Sequence, residues 1–256
     1  MTRPADRRYG VLGWPVGHSR SPAMMRAAGL ERYQRLPVAP EVFDDTVRAL
    51  GGAGFRGANV TIPHKQAALA LATSASDAAR AIGAANTLTF GEDGSIVAEN
   101  TDAPGLLAAL GSAPASALVL GAGGSARAAI WALTQAGADV CVWNRTPERA
   151  RGLGARVVST AVAAEVLVNC TSVGLDDLSS PFKDLPLQAD GLGEYAIVVD
   201  LVYRAGATAL VCEAERRGVI TIDGLEILVR QGALSFSAWT GLPAPLDTMR
   251  AAARAA

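Results

Sequence analysis

The sequence predicts an α/β fold made of two α/β domains. Short segments of strand character alternate with helical segments along most of the 256 residues, and this alternation favours βαβ units with a largely parallel sheet. A polar, Pro-containing stretch at residues 111–116 interrupts the series, which then starts again. A chain of this length has room for one or two domains. We therefore expect one unit on each side of that interruption.

The first series of predicted elements contains three strand–helix pairs and a hairpin. Residues 88–90 and 96–98 flank the turn Gly91-Glu-Asp-Gly94 and predict two antiparallel strands, because Gly and Asp favour tight turns. A helix over 103–110 closes the series. The predicted strands are 9–13, 34–38 and 57–61, and the helices that follow them are 22–30, 41–53 and 63–72.

The second series has more buried strands, with apolar runs and Ala-rich helices between them. Such runs are typical of strands covered on both faces of a parallel sheet. The predicted strands are 117–120, 139–143, 166–169, 197–200 and 219–222, and the helices are 125–136, 206–217, 225–239 and 246–253.

Composition and charge exclude several classes of protein. Hydrophobic residues make up 50% of the chain and charged residues 18%, the reverse of a disordered sequence. The net charge of -1 supplies no basic field for nucleic acid, so no nucleic-acid partner is expected. No apolar run reaches the roughly 18 residues of a membrane span. We therefore expect no membrane association.

Cysteine and histidine usage bears on the compartment and on metals. Cys141, Cys170 and Cys212 are far apart and include no CxxC pair, and residues 1–8 contain no apolar segment of the signal-peptide type. Both features favour reduced thiols and a cytoplasmic location. With two histidines in the chain, no histidine-rich metal site is expected.

Lysine is scarce in this chain. Of the 23 basic residues only Lys65 and Lys183 are lysines. A coding bias towards arginine explains the scarcity, but not why Lys65 was retained. Arginine does not release a proton near neutral pH, whereas a partly buried lysine does. Lys65 also lies in the first turn of a predicted helix, where the helix dipole disfavours a cation, which makes it a candidate functional residue.

Residues 117–126 form the pattern of a strand, a Gly-rich turn and a helix start. The pattern matches G-x-G-x-x-G/A, in which Gly121 permits the turn, Gly123 lets the backbone approach a pyrophosphate, and Ala126 allows close packing. The helix N-terminus then offers free N–H groups to the anion. This context predicts a Rossmann-type dinucleotide-binding domain.

The end of the next strand predicts which dinucleotide binds. An NAD site places Asp or Glu there to bind the ribose 2′-hydroxyl, whereas this strand ends in Asn144-Arg145-Thr146, with Arg149 nearby. Two guanidinium groups can clamp a 2′-phosphate through charge-assisted hydrogen bonds. The alternative is a helix start with ordinary solvated charges. The pattern favours NADP over NAD.

Four polar clusters fall at strand ends in the first half of the chain. Individually they have simple explanations: Ser21 as a helix cap, Asn in turns, Asp or Thr as caps. Because strand ends in an open α/β sheet face one crevice, their coincidence favours a common site. The clusters are residues 17–22, 57–65, 83–87 and 99–102.

These clusters, together with later ones, resemble the shikimate dehydrogenase family. The resemblance covers residues 10–241, and the motifs occur in the family's order. They are Gly17-His-Ser-Arg-Ser-Pro, Gly57-Ala-Asn-Val-Thr-Ile-Pro-His-Lys, Gly83-Ala-Ala-Asn-Thr-Leu, Asn100-Thr-Asp-Ala-Pro-Gly, Gly121-Ala-Gly-Gly-Ser-Ala-Arg-Ala, Asn144-Arg-Thr, Asn169-Cys-Thr-Ser-Val-Gly-Leu, Val199-Asp-Leu-Val-Tyr and Gly224-Leu-Glu-Ile-Leu-Val-Arg-Gln.

The resemblance implies a substrate site in the N-terminal domain. The family's catalytic Lys and Asp fall on Lys65 and Asp102. Ser19 and Ser21 would hold the substrate carboxylate. The ring hydroxyls would be bound by Thr61, Asn86 and Gln231, with Tyr203 nearby.

The resemblance also implies an NADP(H) site. The pyrophosphate would lie against Gly121, Ala122, Gly123, Gly124 and Ser125. The adenosine 2′-phosphate would contact Asn144, Arg145, Thr146 and Arg149, and the nicotinamide would lie beside Leu201 and Gly224. One departure is Tyr203-Arg-Ala205 where the family has Tyr-x-Pro, which implies a less rigid loop.

The fold implied is a substrate-binding domain, residues 1–102 and 237–256, facing a Rossmann-like NADP-binding domain, residues 103–236, across a cleft. The activity implied is reversible NADPH-dependent reduction of 3-dehydroshikimate to shikimate in aromatic amino-acid biosynthesis. Two alternatives stay open: a quinate/shikimate dehydrogenase of broader substrate or NAD preference, and a non-catalytic NADP-binding regulatory module. A monomer or a homodimer is expected.

Overall fold

The computed structural model describes residues 7–175 and 181–256. The chain folds into two compact units. The first unit runs to Gly105 and resumes at Leu228–Ala256, and the second is Leu106–Ile227. The prediction of two α/β domains is confirmed. The expected second boundary, 236/237, falls inside a helix in which the residues from Leu228 onwards already pack in the core of the first unit.

The first unit contains a six-stranded mixed sheet. Its strand order is β2-β1-β3-β5-β6-β4; β1 is parallel to β2 and β3, and β5 is antiparallel to β3 and β6. The β5–β6 pair confirms the predicted hairpin. The strands are β1 (Arg8–Gly13), β2 (Tyr33–Pro37), β3 (Phe55–Val60), β4 (Ser74–Ala75), β5 (Thr87–Phe90) and β6 (Ile96–Glu99).

Helices cover both faces of this sheet. On one face α2 and α3 pack with Leu12, while on the other α1, α8 and α9 pack with its neighbour Val11, as the alternation of a strand requires. A Cβ on Gly57 would lie 2.4 Å from the indole ring of Trp239, so Gly57 allows α8 to lie directly on β3. The helices are α1 (Ser21–Ala27), α2 (Phe43–Gly52), α3 (Lys65–Ala70), α4 (Asp77–Ile82), α5 (Asp102–Leu110), α8 (Gly224–Thr240) and α9 (Leu246–Ala255).

The second unit contains a six-stranded parallel sheet in the order β12-β11-β10-β7-β8-β9. Its central strands are buried on both faces, which explains their unbroken apolar character. The strands are β7 (Ser116–Leu120), β8 (Asp139–Trp143), β9 (Arg156–Val157), β10 (Val166–Asn169), β11 (Ile197–Asp200) and β12 (Ile220–Ile222). The α-helices within it are α6 (Gly124–Gln135) and α7 (Ala209–Arg216), and the 3-10 turns are Pro147–Arg149, Pro181–Lys183 and Asp190–Glu194.

Some elements differ from the prediction. The two-residue strands β4 and β9 and the helix α4 were not expected. The helix predicted from residue 63 begins at Lys65, because residues 61–64 form a turn in which His64 N–H donates to Thr61 O at 3.0 Å. Lys65 is therefore the first residue of α3.

Candidate active site

The polar clusters of the first unit converge at one edge of its sheet. Thr61 directly follows β3, and Asn86 directly precedes the antiparallel strand β5; Val60 N–H donates to Asn86 O at 2.8 Å. Asp102 begins the helix after β6, whose end is paired with the start of β5. The ends of β3 and β6 and the beginning of β5 thus lie side by side; the edge differs from the expected row of strand ends because β5 is antiparallel to both neighbours.

Lys65 and Asp102 form an ion pair at this edge. Lys65 Nζ donates to Asp102 Oδ2 at 2.6 Å, and the two side chains are only 12% and 14% exposed. Asn100 Oδ1 accepts a hydrogen bond from Ala103 N–H at 3.2 Å, which fixes the start of α5 and with it Asp102. A carboxylate is favoured at a helix N-terminus, whereas an ammonium is not. Asp102 therefore compensates the unfavourable location of Lys65.

Asn86 connects this pair to Gln231. Asn86 Nδ2 donates to Asp102 Oδ1 at 2.8 Å and to Gln231 Oε1 at 3.1 Å. Gln231 comes from α8, where its Nε2 donates to Leu228 O at 2.8 Å. A Cβ on Gly105 would lie 2.9 Å from Gln231 N, so α5 and α8 touch at this point. Four predicted site residues from distant parts of the chain are thereby joined by direct hydrogen bonds.

The two serines occupy the loop between β1 and α1. Ser19 and Ser21 are both 3% exposed, and Arg35 donates to Ser19 O at 2.9 and 2.6 Å. The alternative of Ser21 as a helix cap is wrong: the N-cap residue is Arg20, and Ser21 is already helical. The hydroxyls of Ser21 and Thr61 make no hydrogen bond to the described residues, which leaves both available for a ligand.

The Gly-rich turn of the second unit has the geometry of an anion site. Gly121 has a φ of +110°, and a Cβ on it would lie 3.2 Å from the Cys170 backbone. Gly123 has an ordinary φ of -79°, and a Cβ there would meet no described atom within 4 Å. Neither conformation nor packing explains Gly123, whereas an approaching pyrophosphate does. Helix α6 starts at the next residue, Gly124, with Ala122 and Ser125 on either side of the two glycines.

The segment after β8 presents two guanidinium groups to solvent. Arg145 and Arg149 are exposed, and neither forms an ion pair with a described residue. Asn144 Nδ2 donates to Thr146 O at 2.7 Å and holds the turn between them. In contrast, the neighbouring Arg151 lies 3.7 Å from Glu148. Arg145 and Arg149 are therefore the cations available for an additional phosphate.

The segment after β11 is held by a buried carboxylate that the sequence analysis missed. A Cβ on Gly224 would lie 2.6 Å from Leu201 O, so these two predicted cofactor residues are adjacent; Tyr203 lies in the same segment. Asp200 is fully buried and accepts hydrogen bonds from Thr208 Oγ1 at 2.6 Å, Asn169 Nδ2 at 2.9 Å and Val202 N–H at 3.1 Å. Burial raises the pKa of Asp200 to about 6, although the three hydrogen bonds oppose the shift.

Neither a candidate metal site nor a membrane-spanning helix is found within residues 7–175 and 181–256. No group of three or more His, Cys, Asp or Glu side chains within these ranges could hold a metal ion. None of the helices described above has both the length and the apolar character of a membrane span.

Comparison with known proteins assigns the chain to a family. A model of the shikimate dehydrogenase substrate binding domain matches residues 11–88, and one of the shikimate 5′-dehydrogenase C-terminal domain matches residues 224–254. An NADP(+) shikimate dehydrogenase of Thermus thermophilus is 47% identical over 97% of this chain and 98% of its own. The chain belongs to the shikimate dehydrogenase family.

Other relatives support this assignment. The NADP(+) shikimate dehydrogenase of Methylobacterium radiotolerans is 44% identical over 95% of this chain and 94% of its own length. Among solved structures, a Thermus thermophilus shikimate 5-dehydrogenase in complex with NADP(H) and shikimate has a TM-score of 0.87 at 43% identity. That alignment covers 97% of this chain and 99% of the relative.

One structural relative of the shikimate dehydrogenases has a different name. A 5-ketofructose reductase of Gluconobacter sp. strain CHM43 has a TM-score of 0.83 at 28% identity, and the alignment covers 97% of this chain and 98% of the relative. The fold is therefore shared by proteins named for different substrates, and substrate identity has to be argued from the side chains of the site.

Proposed function

We propose that this protein catalyses the reversible, NADPH-dependent reduction of 3-dehydroshikimate to shikimate. The observation that carries the proposal is the partly buried ion pair between Lys65 Nζ and Asp102 Oδ2 at 2.6 Å. The pair lies at the edge of the sheet that also presents the amides of Asn86 and Gln231 and the hydroxyl of Thr61. Groups of this kind can bind the hydroxyls of a substrate ring. The names of the relatives agree with the proposal.

The first unit is proposed to bind the substrate. Ser19 and Ser21 hold its carboxylate, while Thr61, Asn86 and Gln231 bind the ring hydroxyls. The amides of Asn86 and Gln231 bond to one another, which fixes their relative orientation within the site. Tyr203, which lies in the second unit, is proposed to contact the substrate as well.

Lys65 is proposed to act as the general acid. Its ammonium gives a proton to the ketone oxygen, which becomes the hydroxyl of shikimate, and solvent then restores the proton to the amine. Asp102 keeps the ammonium in place and compensates its charge. In the reverse direction the neutral amine of Lys65 accepts the hydroxyl proton.

The second unit is proposed to bind NADPH, which supplies the hydride for this reaction. Gly121–Ser125 and the start of α6 bind the pyrophosphate, and the space beside Gly123 fits that role. Arg145 and Arg149, with Asn144 and Thr146 between and beside them, bind the 2′-phosphate. Leu201 and Gly224 present backbone to the nicotinamide.

The proposal is tested by four assays of the purified protein. Shikimate or quinate is offered with NADP or NAD, and the absorbance of the reduced nicotinamide is followed. The proposal predicts the highest kcat/KM for shikimate with NADP. Faster quinate oxidation or a preference for NAD would support the broader dehydrogenase, and no reduction in any assay, with NADP still bound, would support a regulatory module.

Two further proposals concern the compartment and the oligomeric state. We propose a cytoplasmic location from the reduced state of the cysteines, none of which forms a disulfide. We propose a monomer or a homodimer, which sedimentation of the purified protein distinguishes.

A further inference from the structure

A buried group of three hydroxyls lies behind Asn86. Thr87, Thr101 and Ser235, named here the hydroxyl cluster, are 0%, 6% and 0% exposed. Ser235 Oγ lies 2.8 Å from Thr87 Oγ1 and 3.2 Å from Thr101 Oγ1, and the two threonine oxygens are 3.2 Å apart. The three hydroxyls come from β5, the start of α5 and α8, so the cluster joins three elements of the first unit.

The hydroxyl cluster contacts both ends of the Asn86 carboxamide, since Thr101 Oγ1 also accepts a hydrogen bond from Asn86 Nδ2 at 2.9 Å. Asn86 Oδ1 accepts from Thr101 N–H at 2.7 Å, and the hydroxyls of Thr101 and Thr87 donate to it at 3.2 and 3.3 Å. With Oδ1 held there, Nδ2 is directed at Asp102 Oδ1, 2.8 Å away. The opposite orientation would place the carbonyl oxygen against Asp102 Oδ1 and the amide nitrogen against Thr101 N–H, which pairs acceptor with acceptor and donor with donor.

Ser235 makes the shorter of the two contacts between the cluster and Asn59, whose Nδ2 also donates to Thr87 Oγ1 at 3.3 Å. Asn59 Nδ2 donates to Ser235 Oγ at 2.8 Å, and Asn59 Oδ1 accepts from the Tyr33 hydroxyl at 2.8 Å. Ser235 Oγ also lies 3.2 Å from Gln231 O, one helical turn earlier. Because an amide nitrogen only donates, Ser235 must accept from Asn59, and its single proton is left for the cluster or for Gln231.

We propose that Ser235 is a positioning residue: through Thr87 and Thr101 it keeps the amide nitrogen of Asn86 directed at Asp102. This inference rests on the proposed function, in which Asp102 holds the proton-donating Lys65. Removal of the Ser235 hydroxyl takes away the nearest acceptor of Asn59 Nδ2 and one partner of each threonine, and it leaves Asn59 with Asn86 O and Thr87 Oγ1, both at 3.3 Å. The Asn86 carbonyl then keeps the Thr101 N–H but loses the hydroxyl donors that Ser235 orients, so the carboxamide is held less firmly and its hydrogen bond to Asp102 is weakened.

The test is Ser235→Ala, with Ser237→Ala as its matched control. Ser237 lies on the same helix, is half-buried and makes no hydrogen bond through its side chain to a described residue. We expect Ser235→Ala to lower kcat by about 10-fold to 100-fold, since small misplacements of reacting groups have effects of this size. The KM for shikimate should change by less than kcat, and Ser237→Ala should match the wild type in both.

A second pair of variants keeps the test informative if Ser235→Ala folds poorly. Thr87→Val retains the shape of the side chain without its hydroxyl, whereas Thr87→Ser retains the hydroxyl. We expect Thr87→Val to lose kcat as Ser235→Ala does and Thr87→Ser to recover most of it, with the folded fraction of each measured by thermal unfolding. An active wild type with unchanged kcat in Ser235→Ala and Thr87→Val would overturn the positioning role, whereas an inactive wild type would contradict the proposed function itself.

Discussion

Lys65 and Asp102, 37 residues apart in the chain, are the first residues of two helices whose starting points meet, with Nζ 2.6 Å from Oδ2. Helix dipoles favour the carboxylate there and disfavour the ammonium. The ion pair offsets this unfavourable interaction. It also holds a lysine, which can release a proton, whereas arginine, the usual cation of this chain, cannot.

Replacement of Lys65 separates proton transfer from charge. We expect Lys65→Ala to lower kcat by about 100-fold to 10,000-fold with little change in the KM for shikimate, because general acid catalysis contributes on that scale. Lys65→Arg keeps a cation beside Asp102 but should not restore kcat. Steady-state kinetics measure both, with the exposed Lys183→Ala as the control; recovery of turnover in Lys65→Arg would show that charge alone is needed.

Replacement of Arg145 should change cofactor preference. Arg145→Ser removes a charge-assisted hydrogen bond to the 2′-phosphate, of about 1.5–3 kcal/mol, and should raise the KM for NADPH roughly tenfold or more without affecting NADH. Arg151→Ser is the control, because Arg151 belongs to the same segment but pairs with Glu148. Equal effects of the two variants on NADPH would argue against a specific 2′-phosphate contact.

The two glycines of the phosphate loop should respond differently to alanine. Gly121→Ala places a side chain at a φ of +110° and 3.2 Å from the Cys170 backbone, which should destabilise the protein by about 1–3 kcal/mol. Gly123→Ala meets no described atom, so its free energy of unfolding should stay near that of the wild type while NADP affinity falls. Denaturant unfolding and fluorescence titration with NADP measure the two effects, and normal affinity in Gly123→Ala would contradict the proposed pyrophosphate position.

Asp200 should make stability depend on pH. Its pKa is about 6 in the folded protein against 3.8 for the ordinary group, so between these values the folded state binds a proton that the unfolded state has lost. The contribution of Asp200 to stability therefore falls as pH rises from about 4 to about 6, by up to about 3 kcal/mol, and stays constant above that.

Asp200→Asn tests this dependence because the amide can accept from Asn169 and Val202 while donating to Thr208. We expect the stability of the variant, relative to that of the wild type, to be higher at pH 7 than at pH 4. Urea unfolding at both pH values measures this difference. Asp184→Asn, at an exposed position, serves as the control. A stability difference that does not vary with pH would contradict the raised pKa.

Local patterns in the sequence predicted much of the fold and of the site. The Gly-rich turn at Gly121 was predicted because the residues that define it are consecutive in sequence and form one strand–turn–helix unit. The hairpin at 91–94 was predicted for the same reason. The pairing of Lys65 with Asp102 was implied by the family resemblance, while the rule that strand ends share one edge only favoured a common site for their clusters; the structure brings the two side chains into contact.

Other features depend on contacts that no local pattern reports. Ser235 is a serine within an apolar helix, and its role depends on Asn59 from a distant part of the chain. The position of the second boundary depends on the packing of residues after Leu228 against β1. Helix α4 did carry local signals, a Ser76 side-chain cap and a left-handed Gly83 at its end, and these could have identified it.

The contact between Trp239 and Gly57 has a consequence for the order of biosynthesis. Trp239 also donates through Nε1 to Leu88 O at 3.1 Å, so an indole synthesised late covers strands synthesised much earlier. The second unit is synthesised before α8 is complete, and until then the sheet face that carries Tyr9 and Val11 of β1 lacks its cover. Exposed apolar surface of this kind promotes aggregation, so completion of α8 removes a hazard that the earlier strands cannot remove by themselves.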